Sequence, residues 1–352
     1  MLKYPHNPII TPGMITPSAA GLEVKGALNP GVTIFENEIV LLLRVAEAGI
    51  CDSGAVRVPR YAFNDNNTKG TLDVLSFNRN DAALTLKDNR AVIYKGKEYV
   101  STLSHLRLAR STDGIHFNID THPFRVPGHP SEEYGVEDAR ITKIDNEYYI
   151  NYTAVSKDSY GTALIKTTDF QTVRYLGMPF CVPNKDVCIF PERINGKYYA
   201  LHRPYNHDFG KSSIWIASSY DLIHWGDHQC LIRPGANEWE EEKIGGGAPP
   251  IKTSKGWLEI YHGKSIKNGA DYYSLLMLLL DLDDPRRVVY RGEVPVLHPS
   301  EPYETHGFVP NVVFLNGMVL RNASELLLYY SACDETTCLA TCALDELLRL
   351  AP

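Results

Sequence analysis

Five short segments bounded by proline recur along this chain, and they restrict its architecture more than any other feature. They are Pro8-Ile9-Ile10-Thr11-Pro12, Pro123-Phe124-Arg125-Val126-Pro127, Pro179-Phe180-Cys181-Val182-Pro183, Cys230-Leu231-Ile232-Arg233-Pro234 and Pro295-Val296-Leu297-His298-Pro299. Proline has no N–H to give to a ladder, so a strand that ends in proline belongs at a sheet edge. Each segment predicts an outer strand, and an outer strand that repeats predicts a sheet that repeats.

The intervening sequence fills in that sheet. Apolar hairpins are predicted from Pro30 to Arg44, Arg140 to Tyr152, Arg193 to His202, Pro250 to His262 and Asn311 to Tyr330, with turns at Asp145-Asn146, Asn195-Gly196, Lys255-Gly256 and Asn322-Ala323. A third strand follows with a Ser/Thr-x-Asp ending at Asp113, Asp169 and Asp221, while Leu275 to Asp281 keeps only the aspartate. Four strands in each of five units predict an all-β, five-bladed β-propeller forming a single domain over residues 1–352. After its third strand the last unit turns helical at Leu344-Asp345-Glu346-Leu347-Leu348. The N-terminal strand, Pro8 to Pro12, is therefore expected to complete the C-terminal blade and close the ring. The interval from Pro12 to Pro127 is about double the others, which places an insertion in the first blade at about 49–99. Rich in Asn, Asp, Lys and Arg, it reads as a surface excursion and a candidate face for self-association into a homo-oligomer.

Composition narrows the function classes. A net charge of -7 with scattered Lys and Arg gives no footprint for nucleic acid. No segment has the length to span a membrane, and the opening residues lack the apolar core of a signal peptide, so a cytoplasmic protein is expected. The seven cysteines (51, 181, 188, 230, 333, 338, 342) include no C-x-x-C pair and read as buried thiols, with no metal site expected. Gly245-Gly246-Gly247-Ala248-Pro249-Pro250 lacks both the spacing and the following helix of a phosphate loop, and close backbone packing is the better account.

In an antiparallel hairpin, the residue entering the first strand and the residue leaving the second share one end. Five inner hairpins therefore gather at one mouth Asn29 and Arg44; Glu137, Asp138 and Arg140; Lys185, Asp186, Glu192, His202 and Arg203; Lys243, Tyr261 and His262; and Glu304, His306, Asn311 and Asp334. Cations beside carboxylates in a concave mouth suit an anionic, polar substrate.

Tyr134-Gly135-Val136-Glu137-Asp138-Ala139-Arg140-Ile141, Asn29-Pro30, Lys185-Asp186-Val187 with Phe190-Pro191-Glu192, Leu201-His202-Arg203-Pro204, Gly245 to Pro250, Tyr261-His262-Gly263, Gly307 to Phe314 and Tyr329 to Asp334 form a set. Together these motifs resemble glycoside hydrolase family 130, the β-mannoside phosphorylases. The resemblance implies a general acid at Asp138, phosphate binding by Lys185, Arg203, Lys243 and His262, and mannosyl binding by Asn29, Arg44 and Asp334. Glu137, Glu304 and Asn311 join the expected substrate contacts. It implies inverting phosphorolysis of β-mannosides, preferably β-1,2-mannobiose or short β-1,2-oligomannosides, to α-mannose 1-phosphate. Phosphate would be the co-substrate, with no metal or organic cofactor. Phosphate is already a nucleophile, so the second carboxylate that an inverting hydrolase needs is dispensable. Four alternatives stay open: a β-1,4-mannosyl phosphorylase, a β-mannosidase using Glu192, Glu304 or Asp334 as base, a different five-bladed glycosidase such as an arabinan- or xylan-cleaving enzyme, and a carbohydrate-binding propeller without catalysis.

Overall fold

The computed structural model describes residues 1–64, 70–88, 91–180, 182–205 and 209–351. Within them the chain is almost wholly β-structure, with short α-helices only at Pro302–Thr305 and Leu344–Leu348. Cys181, one of the predicted buried thiols, lies outside the described residues.

The strands fall into repeated antiparallel groups. In the second unit the order is Gly135–Ile144, Glu147–Val155, Tyr160–Thr167, Arg174–Phe180; in the third it is Asn184–Ile189, Tyr198–Pro204, Ile214–Ser219, Trp225–Ile232. The fourth places Lys243–Gly245 and Ile251–Thr253 on Gly256–Lys267, followed by Ala270–Leu280 and Val288–Arg291. The first unit runs Leu22–Phe35, Glu38–Gly49, Thr102–Ser111, and joins the second through one parallel pairing, Gly135 with Ser104. In the fifth, Val313–Arg321, Glu325–Ala332 and Thr336–Ala343 are followed by Leu2–Lys3, with Leu2 opposite Thr341, and not by the expected strand from Pro8 to Pro12. In the third unit the first strand lies earlier than the expected Arg193 start, which falls instead in the connecting loop.

The proline-bounded segments form less strand than expected. Ile10, Arg125 and Leu297 each make a single bridge, to Thr337, Leu106 and Leu275. Phe180 and Ile232 pair with Thr162 and Ile214 at the ends of longer strands. In all five units a residue inside the motif therefore touches the third strand, and the flanking prolines stop the ladder from extending.

The Ser/Thr-x-Asp endings are the turns that follow the third strands. Asp113 Oδ1 accepts the N–H groups of Ile115 and His116, Asp169 Oδ1 those of Gln171 and Thr172, and Asp221 Oδ1 those of Ile223 and His224. Asp281 caps Asp283 and Asp284 in the same way, so the aspartate suffices when the hydroxyl is missing. Apolar side chains from adjacent units interlock between these turns: Leu258 and Ile260 with Val313, Leu315 and Leu328, and Leu41 and Leu43 with Leu327 and Tyr329. Each such side chain, once buried, contributes about 1.5–3 kcal/mol.

The first-unit insertion is itself β-structure. The hairpin Ala55–Phe63/Gly70–Asn78 and the three strands Leu84–Asp88, Ala91–Tyr94 and Lys97–Val100 enclose Val56, Val58, Phe77 and Val92. It leans on the second unit, where Arg60 bonds Glu133 at 2.8 Å and the Tyr61 N–H reaches the Glu133 carbonyl. Among the described residues, no helix is long and apolar enough to cross a membrane. Of the described cysteines, Cys188, Cys333 and Cys338 are buried as expected, but Cys230 and Cys342 are half-buried and Cys51 is exposed on the insertion.

Candidate active site

The first strands of three successive units are interrupted at matching places. Pairing slips between Leu28 and Gly31, between Glu137 and Arg140, and between Lys185 and Cys188. Each bulge holds one residue in the left-handed region: Asn29 at φ 44°, Asp138 at 54° and Asp186 at 55°. Asn and Asp tolerate that region better than other non-glycine residues, and a bulge re-aims a side chain that regular alternation would send elsewhere. In the fifth unit Asn311, just before its strand, has φ 61°.

Asn29 and Asp138 meet directly. Asn29 Nδ2 donates to Asp138 Oδ1 at 2.7 Å, and Arg44 Nη1 reaches the same oxygen at 3.1 Å. Arg44 Nη2 binds Glu137 Oε1 at 2.8 Å, and its Nε donates to Ser104 Oγ. Burial opposes ionisation of Asp138, but Arg44, Lys185 and Asn29 outweigh it and hold the carboxyl below the usual range. Asp334 lies near enough to help hold Arg44 in its charged form. Arg44, Glu137, Lys185, Tyr160, Phe308 and Asp334 line one cavity of about 290 Å³.

The second half of the site is built around Asp186. Its Oδ2 accepts from Arg203 Nε at 2.5 Å and lies 3.7 Å from His262 Nε2, while Oδ1 takes Arg140 Nη2 at 3.3 Å. Burial opposes ionisation of Asp186 too, yet Arg203 and Arg140 hold it far below the carboxylate range. Burial pushes Lys243 down to about 8, helped by Arg203, and pushes His262 down to about 3. His262 was expected among the cations, but burial makes it a neutral imidazole at neutral pH. Both of its ring nitrogens are buried and have no hydrogen-bond partner among the described residues.

Arg140 does more than the local pairing its position suggests. Its Nε donates to the Gly247 carbonyl at 2.6 Å, Nη2 to the Gly246 carbonyl at 3.0 Å, and Nη1 to the carbonyl of Asp138 at 3.3 Å. The glycine run allows this approach. A Cβ on Gly247 would sit 2.0 Å from the Ile260 oxygen, and one on Gly245 would sit 2.4 Å from Asp186 Oδ2. Close backbone packing is therefore what these glycines provide.

Glu304, expected as a substrate contact, sits elsewhere. It is fully buried (0 % exposed) and accepts from Lys3 Nζ, Tyr330 Oη and the N–H groups of Ser300 and Glu301. It joins the N-terminal strand to the Pro302–Thr305 helix, and its oxygens are committed there. His202 and Tyr261 also leave the mouth, because each alternates with a neighbour that faces it, Arg203 or His262. His202 bonds Asn184 and His228, and Tyr261 bonds Glu240. Glu192 pairs with Lys252 on the surface, and His306 is exposed beside Thr305. Asn311 is half-buried, its carbonyl accepting from the Tyr273 N–H.

Sequence reasoning passed over Tyr160, whose ring centre is 5.0 Å from Lys185 Nζ, and Tyr273, 5.1 Å from Lys243 Nζ. Each opens a third strand or lies near its start, and among so many tyrosines no local signal marks them. Glu259 was also missed. It accepts from the Gly247 N–H at 2.7 Å, and burial pushes its carboxyl up to about 8. A charged residue at an inward position of an apolar strand was the signal available.

Residues 62–351 match a family model of glycoside hydrolase family 130 described as β-1,4-mannooligosaccharide phosphorylase. The chain is 42% identical to a β-1,2-mannobiose phosphorylase of Listeria innocua, over 99% of this chain and 97% of that protein. It is 39% identical to a 1,2-β-oligomannan phosphorylase of a Thermoanaerobacter species, over 67% of this chain and 78% of that one. The solved structure of the Listeria innocua β-1,2-mannobiose phosphorylase with β-1,2-mannobiose superposes with a TM-score of 0.92 at 40% identity, covering 99% of this chain and 98% of that one. The chain belongs to glycoside hydrolase family 130.

Proposed function

We propose that this chain is an inverting β-mannoside phosphorylase that converts a β-1,2-linked mannobiose or short oligomannoside and phosphate into α-mannose 1-phosphate and a shortened sugar. The observation that carries the reading is the division of the site. One half holds a carboxyl, Asp138, between Asn29 and Arg44; the other sets Arg203, Lys243 and a His262 with two unpartnered ring nitrogens about Asp186. The first half suits a mannosyl unit and proton delivery to the leaving oxygen, with Asp334 and Asn311 as further sugar contacts. The second suits an oxyanion, since guanidinium, ammonium and imidazole groups can all donate to phosphate oxygens.

The mechanism then follows from charge. Lys185, Arg203, Lys243 and His262 hold phosphate in line with the anomeric carbon, which removes the cost of orienting and desolvating it during reaction. The C–O bond breaks as a phosphate oxygen bonds to carbon, and Asp138 protonates the departing oxygen. Two carboxylates considered as bases for a hydrolase are engaged elsewhere, Glu192 with Lys252 and Glu304 with Lys3. The donor set is one for sugar and phosphate and calls for no metal or organic cofactor.

The β-1,2 linkage rests on the whole-length likeness to the Listeria innocua enzyme, although the matching family model carries a β-1,4 description. A panel of β-1,2- and β-1,4-mannobioses with phosphate distinguishes the two, and turnover of the β-1,4 sugar alone would reverse the assignment. In the same reading the five strand groups are blades of one single-domain β-propeller closed by the Leu2–Lys3 pairing. The protein is cytoplasmic, and the insertion is its face for self-association.

A further inference from the structure

Lys185 stands between the two halves of the site. Its ammonium lies 3.8 Å from Glu137 Oε2, and its partner across the ladder is Arg203. Both halves feel its charge: it helps keep Asp138 ionised, second among the charges only to Arg44, and it helps push Lys243 down. Charged and polar groups from three neighbouring strands act on Asp138. Asn29 comes from Leu22–Phe35, Arg44 from Glu38–Gly49, and Lys185 from Asn184–Ile189. Glu137 and Arg140 lie on its own strand, and Asp334 acts through Arg44.

This arrangement poses a problem for an acid. A group that must donate a proton as the bond breaks is held in its ionised form by Arg44, Lys185 and Asn29. Of these, Lys185 alone also belongs to the phosphate-binding set, so phosphate can draw it away without disturbing the sugar contacts. An opposite charge within about 4–6 Å lowers a carboxyl by roughly 1–3 pH units, and withdrawing it returns part of that shift.

We infer that Lys185 couples phosphate binding to protonation of the acid, pairing with Glu137 beside Asp138 until phosphate engages it, so that Asp138 gains its proton only once phosphate is in place. This rests on the phosphorylase reading above. The proton balance closes. Asp138 takes a proton from solvent when the phosphate dianion binds and gives it to the glycosidic oxygen as the C–O bond breaks. The hydrogen that monohydrogen phosphate sheds on becoming an ester returns to solvent. Lys185 also guards the substrate, because a mannoside bound without phosphate meets an ionised Asp138.

The test is to follow the Asp138 carboxyl through a pH titration by carbon NMR in the full-length enzyme, with and without saturating phosphate. The resonance is assigned by its loss in Asp138→Asn. Phosphate is expected to raise the wild-type midpoint by roughly one pH unit or more. In Lys185→Gln the midpoint is already raised without phosphate, and phosphate moves it less than half as far; Lys185→Arg restores the wild-type pattern. A Lys185→Gln midpoint equal to wild type without phosphate overturns the inference, and that comparison holds even if the variant binds phosphate weakly. Assaying the same wild-type sample for mannose 1-phosphate separates the two claims. If none forms, the phosphorylase reading falls; if it forms while Lys185→Gln titrates like wild type, only the coupling falls.

Discussion

Arg44 and Asp138 meet at 3.1 Å, and the same guanidinium holds Glu137 at 2.8 Å, so one arginine fixes both carboxylates of the Glu-Asp pair. The two are not equivalent. Asp138 alone sits in the left-handed bulge and alone is bonded by Asn29. Glu137 instead spans Arg44 and Lys185, so it orients the cations around Asp138.

Asp138→Asn keeps the shape of the side chain and tolerates the left-handed backbone. Its kcat is expected to fall roughly 100- to 10,000-fold, the usual range for loss of a general acid, with the melting temperature and sugar binding little changed. A fall below about tenfold would mean that the acid lies elsewhere.

Lys243, pushed down to about 8 by burial, is charged below that pH and neutral above it. The charged form attracts phosphate, so phosphate affinity is present at pH 7 and is lost as pH rises through 8. From pH 8 upward kcat/KM for phosphate should fall more steeply, by an added factor of about ten per pH unit, and Lys243→Met should remove that added fall. Phosphate is a dianion throughout that range, so its own titration does not mimic the effect. A wild-type profile flat to pH 9.5 would contradict the assignment.

Gly245 tests the Asp186 half independently. A Cβ there meets Asp186 Oδ2 at 2.4 Å and His262 Cε1 at 2.5 Å. Gly245→Ala should displace both groups and raise KM for phosphate by roughly tenfold or more, with KM for the mannoside within about twofold, because the other half is untouched. An equal rise in both would show that the two halves do not separate.

Half-buried Lys3 pairs with the fully buried Glu304, and removing the lysine leaves the carboxylate's charge uncompensated. Lys3→Met should cost about 3 kcal/mol in urea unfolding while leaving kcat and both KM values nearly unchanged. The double variant Lys3→Met/Glu304→Gln should lose less than the sum of the single changes. A large rise in mannoside KM in Glu304→Gln alone would return Glu304 to the substrate site.

The repeat was legible because its signals are local. Proline blocks a ladder wherever it falls, and the aspartate after the third strand caps a turn in every unit that has it. What escaped were features set by backbone geometry and by distant partners. Grouping whole hairpin ends at one mouth sent His202 and Tyr261 there, although alternation turns each of them away from its neighbour Arg203 or His262. Glu304 was misassigned because its partner, Lys3, is almost the whole chain away in sequence. His262 was counted as a cation because burial cannot be read from a Tyr-His-Gly triplet. The role of Arg140 depends on carbonyls of the fourth unit that no pattern near Asp138 reveals.

The most direct test of the account is to incubate the purified protein with β-1,2-mannobiose, with and without phosphate, and to follow the products by proton and phosphorus NMR. Phosphate-dependent formation of α-mannose 1-phosphate, with one mannose released for each ester formed, is the predicted result. Release of two mannose per disaccharide at the same rate without phosphate, and no sugar phosphate, would contradict it.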